Sequence, residues 1–354
     1  MFTRRTTIVL AAALFAVALT GCTLSLGNKQ SPAIAGVFKS SDRTANWAPK
    51  NLFLHSGGTG SIAGINVLAL AFDPQDHKAI YLASDTAGLL FTYDGGESWR
   101  KADAIGNGRV ESVMVDTKNK CTIYATYANT ILKTDDCSRT WSEAYIDTRR
   151  DKTLTTLAID YTDNLSVYAG NTAGDILKSV DGGSNWRVIT RLNNQITKIL
   201  IDPKDPRILY VGTKNRGLFK TITAGADWFE INEGLKPYSG SLEYRNVVFI
   251  PTRENGLLLA SKYGLIKTLD GGQTWEPLSL ITPPATADIL ALAVSTDNAD
   301  EIYYATASTF YSTTDGGKNW VTKRLPSIAQ PTYMVVDPGD PNTVFLGLGG
   351  LGKK

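Results

Sequence analysis

All seven tryptophans of this 354-residue chain close copies of one eight-residue motif, and this regularity limits the fold more than any other feature. The copies are SSDRTANW (40–47), TYDGGESW (92–99), TDDCSRTW (134–141), SVDGGSNW (179–186), TITAGADW (221–228), TLDGGQTW (268–275) and TTDGGKNW (313–320). Successive tryptophans lie 52, 42, 45, 42, 47 and 45 residues apart, which is the period of a four-stranded propeller blade. The sequence therefore predicts an all-β fold, a single seven-bladed β-propeller of four-stranded antiparallel blades.

The residues around each motif follow the pattern of short antiparallel strands. In the clearest copy, residues 196–228, apolar runs alternate with Gly, Asp and Pro. There ITKILID predicts the innermost strand A, ILYVGT strand B and GLFKT strand C, and the tryptophan begins the outermost strand D. Asp-Pro pairs at 73–74, 202–203 and 337–338 predict the turns between strands A and B, because both residues favour tight turns.

The two ends of the repeat region are complementary. Residues 331–350 have the pattern of strands A and B and then stop, whereas residues 35–47 start at strand C. We expect the ring to close by pairing N-terminal strands C and D with C-terminal strands A and B, which removes two exposed sheet edges. The propeller domain is thus predicted to span residues 34–352.

The first 22 residues have the pattern of a targeting segment. Arg4 and Arg5 precede an apolar run at 8–19 that is too short for an ordinary spanning helix. The run ends in Leu-Thr-Gly-Cys, which resembles the bacterial lipobox and implies that Cys22 becomes the lipid-modified first residue of the mature protein. An uncleaved anchor is the alternative. We expect a signal peptide at 1–22, a polar tether at 23–33 and an extracytoplasmic, membrane-anchored location.

Two further cysteines remain, Cys121 and Cys137. An even pair in an exported protein favours a structural disulfide, because the compartment is oxidising. Two free thiols are the alternative.

The motif pattern, Ser/Thr-x-Asp-x-Gly-x-Thr/Asn-Trp, resembles the Asp-box of bacterial neuraminidase repeat proteins. An Asp carboxylate accepts backbone hydrogen bonds in a tight hairpin, Gly supplies a positive φ, and Trp covers apolar surface. The fifth copy has Thr223 in place of Asp, which favours a structural role over a catalytic one. The residues assigned this role are Asp42, Asp94, Asp136, Asp181, Asp270 and Asp315, with Trp47, Trp99, Trp141, Trp186, Trp228, Trp275 and Trp320.

Other motifs of reactive chemistry are missing from the sequence. It contains two histidines and no Cys/His cluster with metal-ligand spacing, phosphate-binding loop or nucleophile elbow. We therefore expect no metal, no cofactor and no nucleophilic catalysis. The formal net charge of +2 is too small to predict nucleic-acid binding.

The repeats are similar to several Asp-box families. Sialidases carry an early Phe-Arg-Ile-Pro motif and six blades, and this sequence has neither feature. Xyloglucan-cleaving glycosidases use two facing propellers with an acid and a base carboxylate, and sortilin-type proteins share the repeat. The chain resembles most the single-ring photosystem II assembly factors of the Ycf48/Hcf136 type, which bind a client through an arginine-rich face. That resemblance implies a non-catalytic, monomeric scaffold for a protein partner. A carbohydrate-binding protein or glycoside hydrolase is the alternative.

Binding is expected on the face that carries the D-to-A and B-to-C connections, because loops on a rigid ring usually carry function. Two D-to-A connections are long, at 48–65 and 230–245. The predicted partner-binding residues are Arg109, Arg149, Arg150, Arg191, Arg216, Tyr244, Arg245 and Arg324. Acidic residues nearby, Asp147 and Glu243 among them, leave a mixed solvated surface as the alternative.

Overall fold

A computed structural model describes residues 34–350, which form an all-β domain with two short 3₁₀ helices, Asp103–Ile105 and Glu233–Leu235. The strands are β1 (Gly36–Ser40), β2 (Ala48–Pro49), β3 (Leu52–His55), β4 (Gly58–Ser61), β5 (Val67–Asp73), β6 (Asp76–Ser84), β7 (Leu89–Thr92), β8 (Ser98–Lys101), β9 (Val113–Val115), β10 (Ile123–Tyr127), β11 (Thr130–Thr134), β12 (Ser142–Ile146), β13 (Leu154–Ile159), β14 (Val167–Asn171), β15 (Asp175–Ser179), β16 (Arg187–Arg191), β17 (Ile196–Ile201), β18 (Leu209–Thr213), β19 (Gly217–Thr221), β20 (Phe229–Glu230), β21 (Tyr244–Phe249), β22 (Leu257–Ser261), β23 (Leu265–Thr268), β24 (Glu276–Pro277), β25 (Ala291–Val294), β26 (Ile302–Ala305), β27 (Thr309–Thr313), β28 (Val321–Arg324), β29 (Gln330–Asp337) and β30 (Asp340–Gly349).

These strands form seven sheets, which confirms the predicted propeller. Blade 1 contains β29, β30, β1 and β2 from strand A to strand D, and blade 2 contains β5 to β8. Blades 3 to 7 each take the next four strands in chain order. The A strands contact one another in a closed circuit, from β29 through β5, β9, β13, β17, β21 and β25 back to β29. The innermost strands therefore surround a central axis.

Blade 1 closes the ring in the predicted way. Strand β1 pairs antiparallel with β30, with Gly36 opposite Leu348 and Ser40 opposite Val344. A side-chain clasp joins this blade to blade 7, because Arg43 Nη2 lies 2.6 Å from Asp297 Oδ2 and Arg43 also pairs with the buried Glu301.

The core is divided among the seven interfaces between neighbouring blades. Each interface has its own cluster of buried side chains. Between blades 7 and 1, for example, Tyr303 and Phe310 pack with Phe38 and Leu346. Burying one such side chain contributes about 1.5–3 kcal/mol, so a blade depends on both neighbours for its stability.

The connection at 48–65, expected to be a loop, contains a β-hairpin. Strands β3 and β4 pair antiparallel, and β3 runs parallel to β8, so that blade 2 has six strands. Glycine and serine have low strand propensity, and the sequence Gly-Thr-Gly-Ser of β4 therefore gave no strand signal.

Cys121 and Cys137 are bonded to each other in blade 3. Cys22 and the tether at 23–33 lie outside the described residues. Within residues 34–350 no helix has the length and apolar character needed to cross a membrane.

Deleting residues 340–354 removes β30 and with it the partner of both β1 and β29. We expect a large fall in Tm or loss of folding, measured by circular dichroism, because two blade interfaces lose their common strand. A control that lacks only residues 351–354 keeps β30 and should melt like the full chain. Equal melting of the two truncations would contradict the closure of the ring by this strand.

Candidate functional site

The seven motif copies form the hairpins that connect strands C and D, here called the motif hairpins. In the first of them, Asp42 Oδ1 accepts hydrogen bonds from the Ser40 hydroxyl at 2.8 Å and the Asn46 backbone N–H at 2.9 Å. The Asn46 backbone N–H and then its side-chain amide lower the pKa of Asp42 to about 2. The carboxylate of each of the other five copies accepts from the backbone N–H four residues on, at 2.8–2.9 Å. All six carboxylates are thus occupied within their own hairpins.

The fifth motif hairpin keeps the same shape without a carboxylate. Thr223 Oγ1 accepts from the Asp227 backbone N–H at 3.0 Å and lies 3.2 Å from Thr221 Oγ1. A hydroxyl is therefore sufficient at this position, which is consistent with a structural role for the six aspartates.

The motif hairpins also join neighbouring blades through lysines that the sequence analysis missed. Lys178, on strand C of blade 4, lies over the ring of Tyr168 at 4.9 Å and donates to the carbonyl of Ala224 in the motif hairpin of blade 5. The distance of this hydrogen bond is 3.1 Å. Equivalent bonds run from Lys39 to Gly95 at 3.0 Å and from Lys220 to Gly271 at 3.1 Å. The motif hairpins of blades 2, 5 and 6 are therefore each bonded to the preceding blade.

Several motif tryptophans make a second link of the same kind. The indole N–H groups of Trp99, Trp275 and Trp320 donate to backbone carbonyls of the preceding blade at 2.8, 3.1 and 2.8 Å. Trp186 and Trp228 donate instead to a glycine carbonyl of their own hairpin. The indoles of Trp99, Trp275 and Trp320 therefore hold their motif hairpins against the preceding blade.

The opposite face carries the D-to-A and B-to-C connections, and we call it the arginine face. It contains every arginine predicted to contact a partner: Arg109, Arg149, Arg150, Arg191, Arg216, Arg245 and Arg324. The structure places them at blade ends around the ring, and it groups Arg149 and Arg191 about one pair of carboxylates.

That group, here called the Arg149 cluster, is held by two buried aspartates. Arg149 Nη2 lies 2.6 Å from Asp147 Oδ2 and 2.5 Å from Asp175 Oδ2, and Arg191 Nε lies 3.2 Å from Asp175 Oδ1. The carboxylate side chains are 3% and 2% exposed, whereas Arg149 is 42% and Arg191 66% exposed. Asn171 Nδ2 donates to both carboxylates. The hydrogen bond from Arg149 lowers the pKa of Asp147, so both charges of this pair persist at neutral pH.

Three other arginines of this face are also paired. Arg216 pairs with Glu230 and Arg109 with Glu111, and Arg245 Nη2 lies 3.0 Å from Asp288 Oδ1. By contrast, Arg150 and Arg324 are exposed and form no ion pair with another residue of the range 34–350.

The prediction that Tyr244 contacts a partner is not supported by its position. Its side chain is 7% exposed and belongs to the cluster between blades 5 and 6. Its hydroxyl accepts a hydrogen bond from the Val247 backbone N–H at 3.1 Å. The residue begins a strand A, where bulky side chains fill the blade interface.

A cavity of about 570 Å³ lies on the axis and is lined by residues of six A strands and by Leu290, which directly precedes the seventh, β25. Lys198 is half-buried in its wall, with Nζ 3.1 Å from Asn246 Oδ1. The loss of hydration there lowers the pKa of Lys198 to about 8. Arg245 also lines the cavity, and the one acidic lining residue, Glu111, is paired with Arg109. Among the described lining residues, no two carboxylates face each other.

Two features described above, the cavity lysine Lys198 and the aspartates of the Arg149 cluster, were not predicted from the sequence. Lys198 interrupts the apolar pattern of ITKILI, and a lone cation inside a predicted innermost strand is a signal that was available. That Asp147 and Asp175 share the guanidinium of Arg149 had no such signal, because the two aspartates lie on different blades.

Comparisons with known proteins identify the fold only. No protein-family model matches the chain, and no curated protein matches it either. Among solved structures, a GH74 xyloglucanase from Xanthomonas campestris superposes with a TM-score of 0.67 at 17% identity, over 81% of this chain and 51% of that one. A GH74 enzyme from Niastella koreensis gives 0.64 at 17% identity, over 81% of this chain and 52% of that one. The chain spans about half the length of these two enzymes.

A third similar structure, YCF48 bound to a D1 peptide, gives a TM-score of 0.63 at 18% identity. That alignment covers 82% of this chain and 94% of the other. The resemblance to xyloglucanase propellers and Ycf48 drawn from the repeats is thus confirmed for the fold.

Replacing Asp42 by Ala should lower Tm at pH 7, because three donors of the first motif hairpin, the Ser40 hydroxyl and the backbone and side-chain N–H groups of Asn46, lose their acceptor. The pKa of Asp42 is depressed in the folded state, so its contribution is complete above about pH 4 and is lost as pH falls toward 2. The difference in Tm between wild type and Asp42→Ala should therefore shrink over this window in calorimetry. Thr223→Ala, the control at the equivalent position of blade 5, should show a pH-independent difference. A difference for Asp42→Ala that is constant between pH 7 and pH 3 would contradict this account.

Replacing Arg149 by Ala leaves Asp147 and Asp175 buried without their shared guanidinium. Leaving a buried carboxylate unpaired costs up to about 3 kcal/mol, and the 42% exposure of Arg149 places the expected loss below that value. Arg191→Ala should cost much less, because Arg149 still neutralises Asp175 and Arg191 is largely solvated. Urea denaturation at pH 7 measures the free energy of unfolding of both variants. Similar losses for the two variants would show that the cluster is not organised around Arg149.

Proposed function

We propose that this protein is a non-catalytic scaffold, held on the extracytoplasmic side of a membrane by a lipid on Cys22, that binds a protein partner through the arginine face. The observation that carries the proposal is the Arg149 cluster, where buried carboxylates hold exposed guanidinium groups. The anchor rests on the lipobox-like sequence that ends at Cys22.

The cluster has the properties of a binding surface that is organised before its partner arrives. Because Asp147 and Asp175 fix the guanidinium of Arg149 from below, little side-chain entropy remains to be lost when its outer edge is contacted. Arginine is enriched at protein interfaces. Because Nε and Nη2 of Arg149 donate to the two aspartates, Nη1 is the group that a partner can contact. The exposed Arg150 beside the cluster adds an uncompensated positive charge. The arrangement therefore favours an acidic segment of a partner protein.

The solved neighbours supply support of a weaker kind. YCF48, a chain of similar length to this one, is a propeller of the same fold that binds a peptide. Its alignment covers 94% of that chain, whereas the alignments with the two GH74 enzymes cover about half of theirs.

The carbohydrate alternative rests on the same fold, but neither the described axial cavity nor the Arg149 cluster offers a free pair of carboxyl groups. Glycoside hydrolysis usually requires two carboxyl groups at opposite sides of the scissile bond. In the described axial cavity the lining contains one acid, Glu111, and the Arg149 cluster keeps its two aspartates buried and paired. All seven tryptophans belong to motif hairpins on the other face, which leaves none for a sugar platform here.

The test compares two charge-matched double variants. Arg150→Ala with Arg191→Ala alters the arginine face, and Arg139→Ala with Arg207→Ala removes two exposed arginines from the opposite face. The acylated wild type is cross-linked in native membranes, its partner is identified by mass spectrometry, and capture of that partner is then quantified for each variant. We expect a loss of at least about tenfold for the first variant and little change for the second.

Two results would contradict the proposed function. Retained capture by the Arg150/Arg191 variant would reject the arginine face as the binding surface. Release of reducing sugar from xyloglucan by the purified wild type would reject the non-catalytic assignment and favour the glycosidase.

A further inference from the structure

The hairpin of β3 and β4 gives blade 2 an outer edge unlike that of any other blade. Strand β3 pairs in parallel with β8, through Leu52 opposite Ser98 and Phe53 opposite Trp99. Strand β4 then pairs with β3 and ends the sheet. All four residues of Gly58–Ser61 are exposed.

The outer strands of the other blades carry features that discourage pairing with another chain. Short length, charged side chains and proline are the usual protections of an edge strand. The outer strands with these features are Ala48–Pro49, Ser142–Ile146, Arg187–Arg191, Phe229–Glu230, Glu276–Pro277 and Val321–Arg324. Strand β4, Gly-Thr-Gly-Ser, contains neither a charge nor a proline. Its edge is therefore the one among the described blades that neither a charge nor a proline protects, and with four residues β4 is as long as the outer strand Val321–Arg324.

The hydrogen-bond register identifies which backbone groups face outward. The Ile62 backbone N–H donates to the Asn51 carbonyl at 2.9 Å, which makes this pair a hydrogen-bonded one. Hydrogen-bonded and non-bonded pairs alternate along an antiparallel ladder, so Gly60 bonds to Phe53, whereas Ser61 and Thr59 are non-bonded. The N–H and C=O groups of Thr59 and Ser61 consequently point away from β3, toward the open edge.

The side-chain pattern adds a recess beside this edge. Phe53 and His55 stack on one face of the hairpin with ring centroids 5.6 Å apart. Opposite them lie Gly60 and Gly58, and a Cβ on Gly60 would sit 3.5 Å from Phe53 Cδ1 and 3.7 Å from the His55 ring. Glycine leaves that position empty. An aromatic or β-branched residue of an added strand, placed next to Gly60, would cover these rings.

We propose that the edge of β4 is a β-augmentation site that takes an extended segment of a partner polypeptide, with an aromatic or β-branched residue beside Gly60. Main-chain hydrogen bonds would give affinity, and the recess over Phe53 and His55 would give side-chain preference. A second copy of this chain fits less well, because a contact between two four-residue strands falls far short of the about 1,200–2,000 Å² of a stable interface. The site lies on blade 2, whereas the Arg149 cluster joins blades 3 and 4, and it does not depend on the function proposed for that cluster.

The experiment uses the mature protein and a fluorescein-labelled peptide, Lys-Thr-Trp-Thr-Val-Thr-Lys. Threonine alternates with Trp and Val in this peptide, so that in an extended strand the Trp and Val side chains lie on the same face. Fluorescence anisotropy should show saturable binding at or below about 1 mM. The same peptide methylated on alternate backbone nitrogens keeps its side chains and should bind at least about tenfold more weakly. Hydrogen exchange of the Thr59 and Ser61 amides should slow when the unmodified peptide is bound.

Two variants make the assignment specific. Thr59→Pro removes an outward N–H that the hairpin itself does not use, and proline is tolerated on edge strands. It should weaken peptide binding at least about tenfold, whereas Thr59→Ala should bind within about twofold of wild type. Gly60→Val, which fills the recess and keeps the backbone, should weaken binding of the Trp peptide even if Thr59→Pro perturbs the hairpin.

Three outcomes would overturn the proposal. Wild type that fails to bind the peptide, or Thr59→Pro and Gly60→Val variants that both bind like wild type, would exclude strand addition at this edge. A dimer in light scattering that Thr59→Pro dissociates would assign the edge to a second copy instead.

Discussion

The ring depends on the joint between each blade and the next, and at three of the seven joints of the described domain a strand-C lysine donates to a backbone carbonyl of the neighbouring motif hairpin. The hairpin carboxylate satisfies the N–H groups inside its own turn, as Asp181 does for Asn185. The carbonyls of such a hairpin are then free to accept from the preceding blade, as Gly271 beside Asp270 accepts from Lys220. Each blade buries both faces of its sheet against its neighbours. The boundary between blades 4 and 5, for example, is stabilised both by the hydrogen bond of Lys178 and by the cluster of buried side chains.

The two faces of the propeller use their polar side chains differently. On one face the turn carboxylates and several indoles are committed to hydrogen bonds within the ring. On the other face the buried Asp147 and Asp175 are committed to Arg149, and the guanidinium remains accessible. The same kind of residue, an aspartate with a lowered pKa, thus stabilises a turn on one face and positions a cation on the other.

The sequence predicted the parts of the structure that repeat and missed those that arise from a single contact. The motif period and the complementary ends of the chain were sufficient to predict the blade count and the closure by β1 and β30, because both are local patterns summed along the chain. Lys178 was missed because a lysine in a strand reads as solvent-exposed, although its stem packs over Tyr168. Tyr244 was assigned to the surface from its place in a loop-rich segment, whereas the strand begins at that residue. The approach of Asp147 and Asp175 to one arginine depends on how blades 3 and 4 are placed against each other, and the sequence of a single repeat does not contain that information.

The closing blade has a consequence for how the protein is made. Strand β1 is synthesised some three hundred residues before β30, its partner, and until then the hydrogen-bonding edge that faces β30 has nothing to pair with. Blades 2 to 7 each consist of consecutive strands and are complete in the order of translation, but the ring cannot close until residues 340–349 have been synthesised. Until then the propeller is an open arc, and ring closure is the last folding step that the topology permits for this domain.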